Sequence, residues 1–522
     1  MSAAMPFVYT GPREEGVPRD VVCVLVDPSV TSIPARAFYE RMRLAEVELS
    51  EGLVEIGVDS FGWCHHSISK IIIPNSLRRI RELAFNNSLR TPIRLHDGIE
   101  SIGRGAFAQC IFTNFRVPPL ITVIPDHMLS NCRATFSLEL PEDVTEIGEY
   151  ALNYCYCLRN VAFPPDAVFG YNIFIMTGVN DMMVMDLYQL FGSIGSIAEI
   201  IRMLQHRFDG LCIHKLVYYQ SYNQGVLQIL IAAINMRSGQ PTGNQQDCLG
   251  MTPLHILACS SVHNIEIYRV IVDNYPTNLI TEDRWGALPL LYAFWGAAPT
   301  EIIQFLVDSY QSLYPDQVFN WTMMVETMGR CDTPKESIEN LLWVKQMHFP
   351  EQTIDWDYLL DQFALSSRRV SFDGPPFQER MQFLVMCGMS DSVEALAFKV
   401  WRDHITNMIQ TADYKWSMDN YPILYEIREK LAHFEAEYPK LKEIATILEL
   451  ALWKLRMNAS HLQKKTKTDE SSMRRLCRIT CRADVIIRHV LPYIISTDDE
   501  EYDLYQIHYT EFTRTTERSN EE

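Results

Sequence analysis

The sequence predicts a multidomain repeat protein: a solenoid of short parallel strands, then an α-helical array, then a further α-helical region. Three observations support this fold class. An isoleucine recurs every 22 to 24 residues between positions 33 and 147. From about residue 181, the spacing of apolar residues changes from that of strands to that of helices. Finally, 522 residues are too many for one hydrophobic core, which favours several domains.

Each recurring isoleucine is followed five residues later by a phenylalanine or a leucine. The six pairs are Ile33/Phe38, Ile56/Phe61, Ile80/Phe85, Ile102/Phe107, Ile124/Leu129 and Ile147/Leu152. Self-similarity at this period is typical of a solenoid, in which each unit buries its apolar face only by stacking on its neighbours. We therefore expect one continuous interior, with both members of each pair turned inward.

A strand is predicted shortly before each isoleucine. Apolar residues lie nine and seven positions upstream of it, at Val47 and Leu49, Ile71 and Ile73, Ile93 and Leu95, Phe115 and Val117, and Leu138 and Leu140. Such alternation predicts a strand with one buried face. A proline ends the strand at positions 74, 118 and 141, because proline cannot donate to a ladder.

The remaining shared positions complete the unit. A glycine directly follows the isoleucine at positions 57, 103 and 148, which predicts a tight bend that excludes a side chain. An Ala-Phe pair and a cysteine follow, as at 106, 107 and 110. The unit thus resembles the BspA-like variety of leucine-rich repeat, whose pattern Ile71 to Phe85 and Val144 to Cys155 carry best.

The resemblance implies a leucine-rich-repeat solenoid over residues 21–178, preceded by a disordered N-terminus at 1–20. The fifth copy departs from the pattern, with Pro125 for glycine and Leu129 for phenylalanine. The last copy decays between Val168 and Met176, as expected of a terminal repeat.

A second type of repeat occupies residues 179–320. Phe208 to Leu216, Asp247 to Ala258 and Asp283 to Ala293 share a glycine turn that leads into a short helix. The Thr-Pro-Leu-His-x-Leu-Ala sequence of the middle copy resembles ankyrin repeats, in which proline starts that helix. Second helices are predicted at Ile265 to Tyr275 and Glu301 to Tyr314.

The histidines of these turns, His214 and His255, invite a catalytic interpretation. The ankyrin resemblance implies instead that they tie down the turn by hydrogen bonding, and Thr252 can cap the helix that follows. We therefore expect a structural role for both histidines.

Helices are also predicted in the third part, residues 321–495, at Pro334 to Met347, Gln378 to Met386, Ser392 to Thr411 and Tyr421 to Met457. The basic stretch 464–482 is either a solvated loop and helix face or a site for nuclear import or an anionic partner. Residues 496–522 are acidic and predict a disordered tail. The order of parts over residues 21–495 resembles a large family of repeat proteins in unicellular algae, which implies a fold and supplies no activity.

Composition narrows the classes of function. A formal net charge of −19 argues against nucleic-acid binding, which requires an excess of lysine and arginine. The N-terminus lacks the basic start and apolar core of a signal peptide, and the longest apolar runs are too short to span a bilayer. We expect a cytoplasmic protein, with the nucleus as an alternative, and 13 cysteines that are mostly free thiols.

No motif predicts an enzyme, a cofactor or a metal. Cys64-His65-His66 is the densest cluster of reactive side chains, but Cys64 lies near the cysteine position of the repeat, which explains it without chemistry. No phosphate loop, dinucleotide fingerprint, zinc-protease motif or nucleophile elbow is present.

The candidate binding residues are those that point outward from the repeat strands: Glu48, Ile72, Arg94, Arg116 and Glu139. Arg94 and Arg116 would be neighbours, which is unfavourable unless Glu139 or a bound carboxylate lies beside them. Two interpretations follow: a solvated ladder of mutually compensated charges, or an acidic peptide docked along this face. In the helical array, Arg284 and Trp285 occupy a hairpin that would contact partners unless Trp285 covers adjoining helices.

These features predict a non-catalytic scaffold or adaptor that binds other proteins through its repeat surfaces. Two alternatives remain: a signalling regulator whose helical region is the effector, and an enzyme with an unrecognised active site. Neither nucleic acid nor a membrane is an expected partner.

Overall fold

The computed structural model describes residues 6–12, 16–65, 67–91, 93–179, 197–236, 242–330, 333, 335–355 and 358–359. The chain divides into two units, Met1–Leu359 and Leu360–Glu522, and all described residues belong to the first. The helices predicted after residue 359, the basic stretch 464–482 and the acidic tail lie outside the described residues.

The N-terminal part is a solenoid of short parallel strands, as predicted. Its strands are β1 Phe7–Tyr9, β2 Cys23–Val26, β3 Ser32–Ile33, β4 Glu46–Glu48, β5 Glu55–Ile56, β6 Lys70–Ile72, β7 Arg79–Ile80, β8 Ser101–Ile102, β9 Asn114–Arg116, β10 Val123–Ile124, β11 Ser137–Glu139, β12 Glu146–Ile147 and β13 Val168–Phe169. They form two kinds of ladder, one from the predicted strands and one from two-residue strands at the recurring isoleucines.

The first ladder has the order β1-β2-β4-β6 and resumes as β9-β11. Residues 93–95, between these two parts, keep the predicted alternation, with Ile93 and Leu95 buried and Arg94 exposed, but they form no strand. Position 92 is a proline, which has no backbone N–H to give to a ladder. The second ladder has the orders β3-β5-β7-β8 and β10-β12-β13. Its two-residue strands were not predicted from the sequence.

A third line of hydrogen bonds continues where both strand ladders are interrupted. In the turn after each isoleucine, alternate N–H groups donate to the next coil, as from Phe85 to the carbonyl of Ala106 at 2.9 Å and from Phe107 to that of Met128 at 3.2 Å. This path requires left-handed backbone at two positions per coil, for example at Leu83 and Asn87, with φ of 54° and 56°. The turns therefore bind the coils together as the strands do.

The interior is the predicted one. All six recurring isoleucines and their partners five residues later are buried, including Ile80, Ile102 and Ile147. The rings of Phe38, Phe61, Phe85 and Phe107 lie nearly parallel in one column, with centroids 4.8, 5.3 and 5.7 Å apart. Such a stack joins successive coils through their largest apolar side chains.

The recurring glycines after the isoleucines have a different cause from the predicted tight bend. Gly57 and Gly103 do not have positive φ. A Cβ atom on Gly57 would lie 2.5 Å from the carbonyl oxygen of Ile33, and one on Gly103 would lie 2.3 Å from the nitrogen of Glu82. Glycine is therefore required because the preceding coil approaches too closely for a side chain.

The cysteines of the repeat are structural donors. The Cys110 thiol donates to the carbonyl of Phe85 at 3.1 Å, and Cys64, Cys132 and Cys155 make the same bond one coil back. In the one coil with serine at this position, the Ser88 hydroxyl donates to the carbonyl of Phe61. Burial raises the pKa of Cys110 to about 12, so this thiol is a poor nucleophile.

Both ends of the solenoid extend further than the sequence analysis predicted. Phe7–Tyr9 forms a strand on Cys23–Val26 within the segment 1–20 expected to be disordered, because its apolar residues continue the first ladder. At the other end, the copy expected to decay forms a seventh coil. Phe169 takes the place of the isoleucine, and Phe174 lies five residues later, fully buried.

The second part is helical, as predicted for residues beyond 181. Its α-helices are α1 Ile197–Gln205, α2 Cys212–Tyr218, α3 Val226–Met236, α4 Pro253–Ala258, α5 Ile265–Asn274, α6 Pro289–Trp295, α7 Thr300–Leu313, α8 Trp321–Arg330 and α9 Lys335–His348, with 3-10 helices at Gln220–Tyr222, Thr242–Asn244 and Pro276–Leu279. The predicted helices at 265–275, 301–314 and 334–347 match α5, α7 and α9, whereas α8 was not predicted. Among the helices described, none is long and apolar enough to cross a membrane.

The turns before α4 and α6 share one geometry. The Asp247 carboxylate accepts from the N–H groups of Leu249 and Met251, and Asp283 does the same with Trp285 and Ala287. A glycine with φ near +70° follows three residues after each aspartate. These aspartates therefore fix the turn that enters each short helix.

His255 joins one turn to the next and has the expected structural role. Its Nε2 lies 3.0 Å from the carbonyl of Ala287, and its Nδ1 accepts from the N–H of Thr252 at 3.2 Å. The Thr252 hydroxyl lies 2.9 Å from that same Nδ1. The side chain is fully buried, and this burial lowers the pKa of His255.

The buried histidines make stability depend on pH. Burial lowers the pKa of His214 to about 4, from 6.5 when exposed, so the unfolded chain binds the proton first and stability falls as pH falls below about 6.5. From pH 7 to 5.5 we expect His214 to account for about 1 kcal/mol of lost unfolding free energy. In urea titrations at both pH values, His214→Gln should lose less unfolding free energy than the wild type. Equal losses in the two chains would contradict the prediction.

Candidate functional site

The outward side of the first ladder is the candidate site, and the structure divides it into two parts. Val8, Leu25, Glu48 and Ile72 are successive partners in the register of β1, β2, β4 and β6, and Arg94 follows in the next coil. We call these five residues the open face. The next two outward residues, Arg116 and Glu139, are covered by the helical part of the same chain.

Glu139 is the most completely covered of the predicted binding residues, with 2% of its surface exposed. Its carboxylate accepts from the Ser221 hydroxyl at 2.7 Å, from the Ser260 hydroxyl at 3.2 Å and from the Ser261 N–H at 2.6 Å. The expectation that Glu139 binds a partner is therefore wrong for this structure, because donors of the helical part already occupy both carboxylate oxygens.

Arg116 is also held within the chain. Its guanidinium donates to Asp97 at 2.7 Å and to the carbonyl of Ser221 at 3.0 Å, and it lies over the ring of Tyr222 at 4.3 Å. The carboxylate that forms an ion pair with Arg116 is thus Asp97 and not Glu139. Only 11% of the Arg116 side chain is exposed. The prediction that Arg116 binds a partner is therefore replaced by a role in a contact within the chain.

Two tyrosines complete this contact through the backbone of the solenoid. The Tyr218 hydroxyl donates to the carbonyl of Leu138 at 2.7 Å, and the Tyr222 hydroxyl donates to that of Val117 at 2.8 Å. The Tyr218 hydroxyl also accepts from the N–H of Ala162 at 3.1 Å. The helical part therefore docks on main-chain groups of several coils as well as on Arg116 and Glu139.

Arg207 lies at the centre of the same junction and is fully buried. It forms an ion pair with Asp247 at 2.7 Å, in which neither side chain is exposed. It also donates to Asn160 Oδ1 at 2.8 Å and to the carbonyl of Val161 at 2.9 Å, both in the solenoid. A single side chain thus links the turn of the helical array to the last coils of the solenoid.

The predicted hairpin site is partly internal as well. The Arg159 guanidinium of the solenoid lies over the rings of Trp285 at 5.2 Å and Trp295 at 5.0 Å. Trp285 is half-buried by this arrangement, so it contributes to the junction between the two parts. Arg284 is exposed, and partner binding by Arg284 stays a prediction.

The open face is the part of the predicted site that a partner can reach. Glu48 and Arg94 are exposed, and Ile72 is 69% exposed in the middle of a regular strand ladder. Beside them Glu46 pairs with Lys70 at 3.4 Å. Within the described residues, neither Glu48 nor Arg94 has an ion-pair partner. The interpretation as a compensated ladder therefore fits Glu46 and Lys70, and leaves one charge on each side of Ile72, those of Glu48 and Arg94.

The open face ends, beside Arg94, at a pocket of about 340 Å³. Arg94, Asp97 and Arg116 of the solenoid line one wall, and Ser261 and His263 of the helical part line the other. The His263 Nδ1 lies 2.8 Å from the Tyr268 hydroxyl. Burial, aided by the positive charge of Arg94, lowers the pKa of His263 to about 4, so the free charge at this end of the face is that of Arg94.

The cluster Cys64-His65-His66 was the remaining candidate for a catalytic site. Cys64 is buried and donates to the carbonyl of Phe38, while His65 is exposed, so the two do not form a catalytic pair. His66 is outside the described residues. Across the ranges that the structure covers, no group of three or more histidine, cysteine, aspartate and glutamate side chains could hold a metal ion.

The junction with the helical part was not predicted from the sequence. Its residues follow no recurring pattern and lie far along the chain from their partners: Arg207 is 47 residues from Asn160, and Tyr218, Tyr222 and Ser261 each have a partner 80 or more residues away. A weak signal exists in the three tyrosines between positions 218 and 222, since tyrosine combines an apolar body with a polar tip.

Comparison with known proteins identifies the solenoid. Residues 23–133 and 82–191 match the family described as BspA type leucine-rich repeat region, in six copies. The N-terminal part of the chain is therefore a leucine-rich-repeat solenoid, followed by a helical part. No curated protein matches the chain significantly.

Two solved structures are similar to the chain. One is a leucine-rich repeat protein of T. pallidum, with 22% identity over 32% of this chain and 74% of that one, and a TM-score of 0.26. The other is a leucine-rich repeat protein of Bacteroides ovatus, with 24% identity over 30% of this chain and a TM-score of 0.27. The chain spans half the length of the Bacteroides ovatus protein.

Proposed function

We propose that this chain is a protein-interaction module whose partner docks on the open face. The observation that carries the proposal is the exposure of Ile72, an apolar side chain 69% exposed between two charges without ion-pair partners in the described residues. Leucine-rich repeat proteins generally act in protein–protein interaction. Binding a partner would remove the apolar surface of Ile72, Val8 and Leu25 from water.

The helical part acts, in this proposal, as a brace and not as a second independent platform. It covers Arg116 and Glu139 and ends the accessible face at Arg94. We infer that its units are of ankyrin type, since the turns at Asp247 and Asp283 and the hydrogen bonds of His255 follow the pattern that the sequence resembles. If the protein is a scaffold for several partners, the surfaces that bind them are the open face and the exposed Arg284.

We further propose that the protein works in the cytoplasm without catalysing a reaction. All nine cysteines of the described part are free thiols, as a reducing compartment permits. The two histidines that the sequence offers for catalysis, His214 and His255, are buried and bonded to backbone carbonyls.

Replacing Ile72 with glutamate should abolish partner binding without unfolding the protein. The side chain is exposed, so the expected change in unfolding free energy is within about 0.5 kcal/mol. The new carboxylate would lose its water against the partner's apolar surface without gaining a counter-charge, and we expect at least a tenfold loss of bound partner. The measurement is affinity capture with mass spectrometry, comparing proteins held by the wild type and by Ile72→Glu.

Val168→Glu is the matched control. Val168 is 67% exposed and also lies in a strand, but in the second ladder. Proteins that bind the open face should be lost with Ile72→Glu and kept with Val168→Glu. If both variants retain the same proteins as the wild type, the open face is not the binding site and the proposed function fails.

A further inference from the structure

The order of charges on the open face and the spacing of its residues restrict which partner can bind there. Glu48, Ile72 and Arg94 lie in three successive coils, in the order acidic, apolar, basic. Glu46 is matched by Lys70 and Arg116 by Asp97. Among the five residues of the open face, the charges without an ion-pair partner in the described residues are therefore one negative charge and one positive charge, on opposite sides of an exposed isoleucine.

Successive coils of a solenoid lie about 4.8 Å apart, so Glu48 and Arg94 are separated along the solenoid axis by about 9.6 Å. A partner that meets all three residues must present its own side chains at this spacing. In an α-helix, residues i, i+3 or i+4, and i+7 lie on one face and span about 10.5 Å. In an extended chain, residues of one face lie about 6.7 Å apart. This spacing does not match that of the coils, so such a chain could not meet all three residues with successive side chains of one face.

The length of the open face also suits a helix. Four steps separate Val8 from Arg94, or about 19 Å, which corresponds to about 13 helical residues. Beyond Arg94 the wall formed by Ser261 and His263 begins. The pocket at that wall gives space for the side chain that meets Arg94, next to the covered part of the ladder.

We propose that the partner presents an amphipathic helix aligned with the solenoid axis, with a basic residue at i, an apolar residue at i+3 or i+4 and an acidic residue at i+7. The basic residue meets Glu48, the apolar residue packs on Ile72, and the acidic residue meets Arg94 at the mouth of the pocket. This inference rests on the proposed function and specifies the chemistry of the partner. It differs from an acidic peptide, since the face has one charge of each sign.

The test uses four 14-residue, alanine-based, fluorescently labelled peptides, three of them stapled as helices on the side away from the charged residues. The three helices carry Lys-Leu-Glu, Glu-Leu-Glu or Lys-Leu-Lys at i, i+4 and i+7. The fourth carries Lys-Leu-Glu without the staple and with a central proline, which removes the helix. Fluorescence anisotropy against the full chain measures binding.

The wild type should prefer the Lys-Leu-Glu helix by about fivefold over both other helices, as expected when one exposed ion pair is replaced by a like-charge contact. The net charge of −19 alone would instead favour Lys-Leu-Lys. Charge reversal then shifts the preference in a defined way. Glu48→Lys should bind Glu-Leu-Glu best, and Arg94→Glu should bind Lys-Leu-Lys best.

Three outcomes would overturn the inference: the same ranking in all three proteins, equal binding of the proline peptide, or no binding of any peptide at millimolar concentration. In each case the proposed function survives if Ile72→Glu still loses captured proteins that Val168→Glu retains. If Ile72→Glu loses none, the proposed function itself fails. Equal binding of the proline peptide would point to an extended partner.

Discussion

Phe107→Ala is expected to destabilise the protein by about 3–5 kcal/mol, the cost typical of truncating a buried phenylalanine. Phe107 has no exposed surface, and its ring lies 5.7 Å from that of Phe85 and 5.1 Å from that of Phe115. The cavity would open at the end of the phenylalanine column, between the rings of Phe85 and Phe115. Neighbouring turns cannot close it, since their N–H groups are bonded to the next coil.

Urea unfolding followed by circular dichroism measures this loss, and Tyr154→Ala is its control. Tyr154 is an aromatic residue of the same repeat with 38% of its surface exposed, and we expect less than about 1 kcal/mol from its removal. A melting temperature of Phe107→Ala within a degree of the wild type would show that the phenylalanine column is not the core.

Arg207→Met is expected to cost a similar amount, about 3–5 kcal/mol, because it leaves the Asp247 carboxylate buried without its counter-charge. The loss also removes the hydrogen bonds to Asn160 and Val161, which tie the solenoid to the helical part. Thermal unfolding should therefore show the two parts separating at a lower temperature than in the wild type.

A double variant identifies the ion pair as the cause. Asp247→Asn keeps an oxygen that can accept from Leu249 and Met251 but removes the charge, so the double variant should be less destabilised than the sum of the two single changes. Arg269→Met is the control, since the Arg269–Glu266 pair is exposed and contributes little. Strictly additive effects of Arg207→Met and Asp247→Asn would exclude coupling between the two charges.

The solenoid could be predicted from the sequence because its coils use the same contacts repeatedly. A pair such as Ile80/Phe85 meets equivalent pairs in the coils on both sides, so one pattern recurs at one period. The exceptions are informative. The seventh coil was missed because Phe169 replaces the isoleucine, and the gap at 93–95 was missed because the buried pattern continues where the strand does not.

The division of the candidate site could not be predicted in this way. Glu139 and Glu48 occupy equivalent positions in the repeat, yet one is covered and the other exposed. The difference comes from Ser221, Ser260 and Ser261, which lie far along the chain and outside the three recurring segments of the helical array. A periodic pattern specifies which way a side chain points, but not which other part of the chain lies opposite it.

The way in which Tyr218 and Tyr222 hold the solenoid has a consequence for how such chains can vary. Their hydroxyls bond to peptide carbonyls, which every amino acid supplies, so this joint is keyed to the path of the chain and not to the identity of its residues. Side chains in these coils can drift between related chains while the joint persists. New recognition surfaces can then arise toward the N-terminal coils without a change in the two tyrosine bonds that hold the helical part.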